Sequence, residues 1–273
     1  MLQHVAVLYH PLREQAVMEA EWLGRQLESR GVRASLGNGW DGNAISRICC
    51  DKDLVVALGG DGTIIHIARI AAPVGAPIVG VNLGRVGFLA ELTPQALHEQ
   101  VDALVEQRYW TEVHAMLDVT WHSREKTETF LGLNEVAVAR GGLSHALHVM
   151  TRLDGEDFLT YTADGVLVCT ATGSTAYSLA AGGPILYPES PDMLITPVAP
   201  HLHIGRSVVV PGDSVVTLSL ASERPGTMSV DGADERPLSQ HDWVDVRRSS
   251  VVAHFARLNP RRYFYTAIAD RLR

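Results

Sequence analysis

The chain has 273 residues, 46% of them apolar, and a formal net charge of −8, so it can bury a large core and, on size, divide into two domains. The acidic balance and the lack of a long basic stripe argue against general nucleic-acid binding, which needs many phosphate contacts. No apolar run approaches the ~20 residues that cross a bilayer, so no membrane partner is expected.

The opening Met1-Leu2-Gln3-His4-Val5-Ala6-Val7 has no basic region followed by an apolar block and a small-residue cleavage site, which predicts a cytoplasmic chain. Cys49, Cys50 and Cys169 fit neither a disulfide framework nor a CxxC metal spacing and are expected in the core.

Residues 4–9 read as a buried strand, and residues 14–30 carry Val17, Ala20, Leu23 and Leu27 at helical spacing. Strands are expected at 31–36, 54–58 and 77–82, and a helix at 94–106. This is a parallel α/β pattern, in which ligands bind beyond the carboxyl ends of the strands. From about Trp110 the texture changes to short alternating runs at 117–122, 133–139, 146–153, 165–170, 207–210, 214–220, 243–247 and 251–256, separated by Gly, Pro, Asn and Asp. This half is expected to be all-β, as a sandwich or stacked sheets. Residues 263–273 are expected as a short helix that docks elsewhere or as a frayed end. The expected domains are therefore 1–110 (α/β with a parallel sheet), 111–258 (all-β) and a tail, 259–273.

Gly59-Gly60-Asp61-Gly62-Thr63 lies between a buried strand and a helix. Glycines let backbone N–H groups approach an anion, and the helix offers its unpaired first amides and positive dipole end to the same anion. A carboxylate repels phosphate, so Asp61 in that loop implies a bound cation or a task at a hydroxyl beside the phosphate. Both belong to phosphoryl transfer. The alternative is a plain Gly/Asp turn between strand and helix. A second block, residues 170–184, clusters hydroxyls and small residues (Thr170, Thr172, Gly173, Ser174, Thr175, Ala176, Ser178, Gly182, Gly183). It suits close backbone approach to a polar ligand, with a buried small-residue helix as its alternative. Tyr177 can stack on a ring or pack.

Together these blocks resemble the NAD kinase family. The resemblance rests on GGDGT, on Asn82-Leu83-Gly84-Arg85-Val86-Gly87-Phe88-Leu89, on Leu133-Asn134-Glu135 and Asp164-Gly165, on Thr172-Gly173-Ser174-Thr175-Ala176-Tyr177, on Ala181-Gly182-Gly183-Pro184-Ile185, on Ile195-Thr196-Pro197 with Pro200-His201, and on Val230-Asp231-Gly232. It covers nearly the whole chain, and the TGSTAYSLAAGGPI run is its most specific part, since other kinases share GGDGT. It implies an α/β N-terminal domain, an all-β C-terminal domain and a site between them. The implied reaction moves the γ-phosphoryl group of ATP, or of polyphosphate, to the 2′-hydroxyl of the adenosine ribose of NAD, giving NADP. Mg²⁺ is the implied divalent cation, with few dedicated protein ligands, and a homo-oligomer is the implied assembly.

By the same resemblance, Asp61 accepts the proton of the attacking hydroxyl, and Gly59, Gly60, Gly62 and Thr63 present amides and a hydroxyl to the donor phosphates. Asp61 and Gly62 also face NAD. Asn134 and Glu135 are implied to hold the nicotinamide-side ribose and carboxamide, and Asp164 the adenine side. Thr172, Thr175, Ala176, Tyr177 and Ser178, with Leu179 and Ala180, line the pocket. Three further assignments rest on position alone. His145 stands where a basic residue commonly approaches a phosphate; His66 stands where relatives often have Arg, as a ligand or as a helix-face histidine; Thr162 replaces a longer polar side chain and reads more readily as an ordinary strand residue. Ala171 departs from the usual Pro, and Ala233 stands where a polar residue is common. A GGDGT kinase with a lipid or sugar acceptor and a non-catalytic dinucleotide sensor are the alternative functions. Against a lipid acceptor stands the lack of an evident apolar or basic surface; against a sensor stands Asp61, which a sensor does not need.

Overall fold

The computed structural model describes residues 2–84, 87–141, 145–201 and 205–271. Arg85 and Val86 of the 82–89 motif, and His203, which with His201 is the sequence's sparse histidine pair, lie outside the described residues. The chain forms two compact units, Met1–Val113 with Ala253–Arg273, and His114–Val252.

The first unit contains β1 (His4–Tyr9), α1 (Glu14–Ser29), β2 (Arg33–Asn38), α2 (Gly42–Cys49), β3 (Leu54–Gly59), α3 (Asp61–Ala71), β4 (Ile78–Asn82) and α4 (Pro94–Val105). The strands pair in parallel in the order β2-β1-β3-β4. β3 and β4 are buried along their whole length, as central parallel strands covered on both faces should be. Ala16, Ala20, Leu23 and Leu27 turn one face of α1 inward, which is the helical spacing visible in the sequence. Thr93 caps α4 by accepting the Ala96 N–H at 3.2 Å, with Pro94 in its first turn. The core of this unit packs Val5, Val7, Leu23, Leu54, Val56, Leu58, Val79, Val81, Leu97 and Leu104 together.

The second unit continues with β5 (Trp110–His122), β6 (Thr127–Gly132), β7 (Glu135–Arg140), β8 (Leu147–Leu153), β9 (Glu156–Ala163), β10 (Gly165–Cys169), the short helix α5 (Tyr177–Ala180), β11 (Met193–Val198), β12 (Val208–Val210), β13 (Val216–Leu220), β14 (Gly226–Val230), β15 (Asp234–Leu238) and β16 (Trp243–Arg257), followed by α6 (Tyr263–Arg271) in the first unit. The chain passes from one unit to the other within β5 and returns within β16, whose Phe255 pairs in parallel with Ile78. In the second unit one antiparallel sheet runs β12-β11-β10-β7-β14-β15; another runs β16-β13-β8-β9, and β5 pairs with β6. Alternate residues of both sheets, among them Val136, Val138, Val149, Ile195, Val216, Leu218, Met228 and Val244, share one core, so this half is a β-sandwich.

The architecture is a parallel α/β unit and an all-β unit, as expected. Several elements differ from the sequence reading. The expected strand at 31–36 is β2, two residues later, on the sheet edge where exposure is high. Helix α2 was not expected: it buries only Ile45 and Cys49 and opens on Gly42 and Asn43, poor helix formers. Its start is fixed by Asp41, which accepts the Ala44 N–H at 3.0 Å. The two runs at 243–247 and 251–256 are one fifteen-residue strand. Strands β6, β9, β11, β14 and β15 were not expected; β9 is acidic and exposed at its start, and Pro197 and Pro237 interrupt the apolar pattern of β11 and β15. Cys49 and Cys169 are buried, but Cys50 is exposed, contrary to expectation, because it lies past the last turn of α2. No helix among the described residues is long and apolar enough to cross a membrane.

Candidate active site

In the first unit the glycine turn is tighter than a loop. Gly59 ends β3, Gly60 is the extended residue before α3, and Asp61, Gly62 and Thr63 form the first helical turn. A Cβ on Gly59 would lie 2.6 Å from Thr63 Cβ and Oγ1, so only glycine lets the helix start so close to the strand. The sides where Gly60 and Gly62 would carry a Cβ are open. Asp61 stands at the positive end of the helix dipole, a favourable place for a carboxylate. Its Oδ2 accepts the Phe88 N–H at 2.8 Å, while its Oδ1 is buried with no hydrogen-bond partner among the described residues. A Cβ on Gly87 would overlap that carboxylate, so glycine at 87 is what lets the backbone close over it. Thr63 is buried, and His66 lies one turn along α3 with its ring stacked on Trp40.

The segment that carries Phe88 is tied to β16 within the same unit. Arg257 donates through Nη1 to the Leu89 carbonyl at 2.9 Å and through Nε to Glu112 at 2.8 Å. Glu91 accepts the N–H groups of Leu258 and Asn259 at 2.9 and 2.7 Å. All three charged side chains are at least nine-tenths buried.

In the second unit Asp231 organises the turn before β7. Its carboxylate accepts the N–H groups of Leu133 at 2.7 Å, Asn134 at 2.8 Å and Glu135 at 3.0 Å. Its φ of 50° places it in the left-handed region that Asp tolerates better than most residues. Asn134 Oδ1 and Glu135 Oε2 are buried without a hydrogen-bond partner among the described residues. Burial first, and the Asp231 charge second, push the Glu135 carboxyl up from 4.5 to about 7.

The 170–175 turn packs on this pair. The Thr170 hydroxyl donates to the Leu133 carbonyl at 2.6 Å and accepts the Gly173 N–H at 3.2 Å. A Cβ on Gly173 would overlap the Asn134 carbonyl. Thr172 Oγ1 and His114 Nδ1 are 2.7 Å apart and both side chains are buried.

Asn134, Glu135 and Thr172 are thus held in one packed cluster. Beyond it, Thr175 donates to the Thr172 carbonyl at 2.9 Å, and the buried Ser178 hydroxyl lies 2.9 Å from Thr196 Oγ1. Ala176 and Leu179 are half-buried, Ala180 is exposed, and Tyr177 is 45% exposed. Asp164, between β9 and β10, pairs with Arg140 at 2.9 Å. Thr162 meets His148 Nδ1 at 3.0 Å. His145 is exposed, with φ 78°. A polar cleft of about 640 Å³, lined by Gly182, Gly183, Pro184, Gly205, Arg206 and Ser207, opens in this unit. Among the described residues no group of three or more His, Cys, Asp or Glu side chains is placed to hold a metal ion.

Sequence reasoning gave no role to Asp231, Thr170, His114 or the Phe88 amide. Val230-Asp231-Gly232 entered only as part of the resemblance, and nothing local signals that the Asp231 carboxylate reaches back about a hundred residues.

Two domain profiles match the chain: the ATP-NAD kinase N-terminal domain over residues 7–109 and the ATP-NAD kinase C-terminal domain over residues 133–258. The chain belongs to the NAD kinase family. It is 38% identical to an NAD kinase of Chloroflexus aurantiacus over 274 residues, covering 100% of this chain and 99% of that one. It is 35% identical to an NAD kinase of Dehalococcoides mccartyi over 275 residues, covering 100% and 97%. Among solved structures, an NAD kinase from Archaeoglobus fulgidus in complex with ATP superposes with a TM-score of 0.78 at 26% identity, over 98% of each chain. Yeast NADH kinase complexed with NADH shares the fold, with a TM-score of 0.84 at 24% identity over 99% of this chain and 87% of that one. Membership makes the chain a phosphotransferase of the NAD kinase type.

Proposed function

We propose that this chain transfers the γ-phosphoryl group of ATP to the 2′-hydroxyl of the adenosine ribose of NAD, with Asp61 as the base. The observation that carries the reading is the state of Asp61: one oxygen is fixed by the Phe88 amide, and the other is buried and bare of partners among the described residues. Gly87 lies over that oxygen, so the 87–89 backbone must shift for a substrate hydroxyl to reach it; a carboxylate oxygen so reached accepts the hydroxyl proton. As the 2′-oxygen bonds to the γ-phosphorus, the bond to the bridging oxygen of ADP breaks, and the hydroxyl proton passes to Asp61. Such transfer is mostly positioning and charge stabilisation. The open sides of Gly60 and Gly62, at the positive end of α3, suit donor phosphates, with Gly59 and Thr63 shaping the turn. A divalent cation, Mg²⁺ by preference, would supply charge neutralisation on the triphosphate.

For the acceptor, Asn134 Oδ1 and Glu135 Oε2 are buried with no hydrogen-bond partner among the described residues, and ribose hydroxyls and a carboxamide are donors of the matching kind. A Glu135 carboxyl that titrates near 7 can accept or donate such a bond at neutral pH. Tyr177 offers an exposed ring beside the fixed 170–175 turn. Asp164 would receive the adenine-side contacts of the dinucleotide. The test is an assay with ATP, NAD and Mg²⁺ coupled to an NADP-specific dehydrogenase. NADP formation supports the reading; its absence with both ATP and polyphosphate rejects it.

A further inference from the structure

The first unit carries an aromatic cluster that the transfer itself does not use. Trp40 lies in the turn between β2 and α2. Its indole is stacked on the His66 ring, with centroids 4.9 Å apart and planes 13° apart, and the His10 ring meets it edge-on at 5.8 Å. The turn is fixed on both sides. Gly39 donates its N–H to the Tyr9 carbonyl at 2.8 Å, and Trp40 donates its own to Asn38 Oδ1 at 2.8 Å. A Cβ on Gly39 would lie 3.0 Å from Ile67 Cδ1 and 3.1 Å from the Tyr9 carbonyl oxygen, so glycine there lets the turn sit against both β1 and α3.

A rigidly placed indole is normally a means of burying surface, yet Trp40 remains 47% exposed. The local structure does not require it, since the cap of α2 comes from Asp41. Its position does suggest a task. His10 follows β1, Trp40 follows β2, and His66 rides on the helix that follows β3, so the three rings gather at the carboxyl ends of the parallel strands, where such sheets bind ligands. His66 is five residues beyond Asp61 on α3, a rise of about 7.5 Å from the phosphate turn.

We propose that Trp40, backed by His66, is the stacking platform for the nucleobase of the phosphate donor, which selects a nucleoside triphosphate over inorganic polyphosphate. The proposal rests on the reading above in one respect, that the donor phosphates lie at the Gly59–Thr63 turn. Every base presents a π-face, whereas a polyphosphate chain has nothing to stack, and base-aromatic stacking carries enough free energy to decide between them. His66 gains a role that its position alone left open: it supports the indole from behind.

The test is calorimetric titration of the full chain with saturating NAD and Mg²⁺, using β,γ-imido-ATP and inorganic tripolyphosphate as probes. The wild type is expected to bind the nucleotide more tightly than tripolyphosphate. Trp40→Ala should weaken the nucleotide about tenfold or more and leave tripolyphosphate and NAD within about twofold. Trp40→Leu, which keeps apolar bulk without a ring, should weaken the nucleotide similarly and covers the case in which Trp40→Ala does not fold; Trp40→Phe should restore most of the affinity. Equal binding of the two probes by the wild type, no nucleotide binding, an unchanged nucleotide affinity in Trp40→Leu, or an equal loss for tripolyphosphate or NAD would overturn the proposal. Absence of NADP formation would reject the kinase reading while leaving this binding comparison to decide the platform.

Discussion

The Phe88 backbone N–H donates to Asp61 Oδ2 at 2.8 Å across twenty-seven residues of chain, and Gly87 closes over the same carboxylate with no space for a side chain. The orientation of Asp61 is therefore set by a second backbone segment as well as by its own helix. That segment is in turn held by Arg257 through the Leu89 carbonyl. A chain of fixed contacts thus runs from β16 to the proposed base, all within the α/β unit.

Gly87→Ala is expected to force the carboxylate or the 87–89 backbone aside, because the new methyl overlaps Asp61. Overpacking of this kind costs about 1–3 kcal/mol, and a misplaced reacting group lowers rate further, by about tenfold or more. Urea unfolding and kcat for NADP formation measure the two effects. A variant with wild-type kcat would show that the close approach does not position the base.

Arg257→Met removes the guanidinium from between Glu112 and Glu91, both buried. Breaking a buried ion pair by removing one partner costs about 3–5 kcal/mol. The urea midpoint should fall accordingly, and adding Glu112→Leu should recover part of the loss. Equal stability of the single variant and the wild type would contradict the network.

Asp231→Ala deprives the N–H groups of Leu133, Asn134 and Glu135 of their shared acceptor. The expected loss is on the order of 3 kcal/mol, since hydrogen bonds to a charged group are among the stronger ones. NAD affinity should fall with it, because the turn that presents Asn134 and Glu135 loosens. Calorimetric NAD titration of folded variant checks the second effect, and unchanged affinity would separate the clamp from the site.

Glu135 gives a pH signature. Its folded-state value, about 7, is above its ordinary 4.5, so the folded chain holds a proton that the unfolded chain has lost between those values. Stability from this group is fully present below pH 4.5 and falls as pH rises to 7, by about 3 kcal/mol in all. Glu135→Gln should match the wild type near pH 4.5 and exceed it at pH 8. Parallel stability profiles for the two proteins would refute the shift.

Most of the fold was legible in the sequence, for reasons specific residues make plain. The apolar run Leu54 to Leu58 ending in glycines gave a buried strand turning into a helix, and the spacing of Ala20, Leu23 and Leu27 gave the packed face of α1. Where the periodic signal is weak the reading missed: α2 buries two side chains, and β11 and β15 contain prolines. Of the candidate site, the glycine turn was visible because its contacts are local. The long-range partners were not, because Phe88 reaches Asp61, Asp231 and Thr170 reach the 133–135 turn, and His114 reaches Thr172, across 27 to 98 residues of chain, and no local pattern encodes such a pairing.

The most direct measurement is kcat for NADP formation by Asp61→Asn beside the wild type in the coupled assay, with NAD affinity measured on both. Asparagine keeps the shape and can still accept the Phe88 N–H, but it cannot take the hydroxyl proton. The expected result is NAD affinity close to wild type with kcat lower by about 10²- to 10⁴-fold, roughly 3 to 5 kcal/mol of barrier. A folded Asp61→Asn whose kcat stays within about tenfold of wild type would contradict Asp61 as the base.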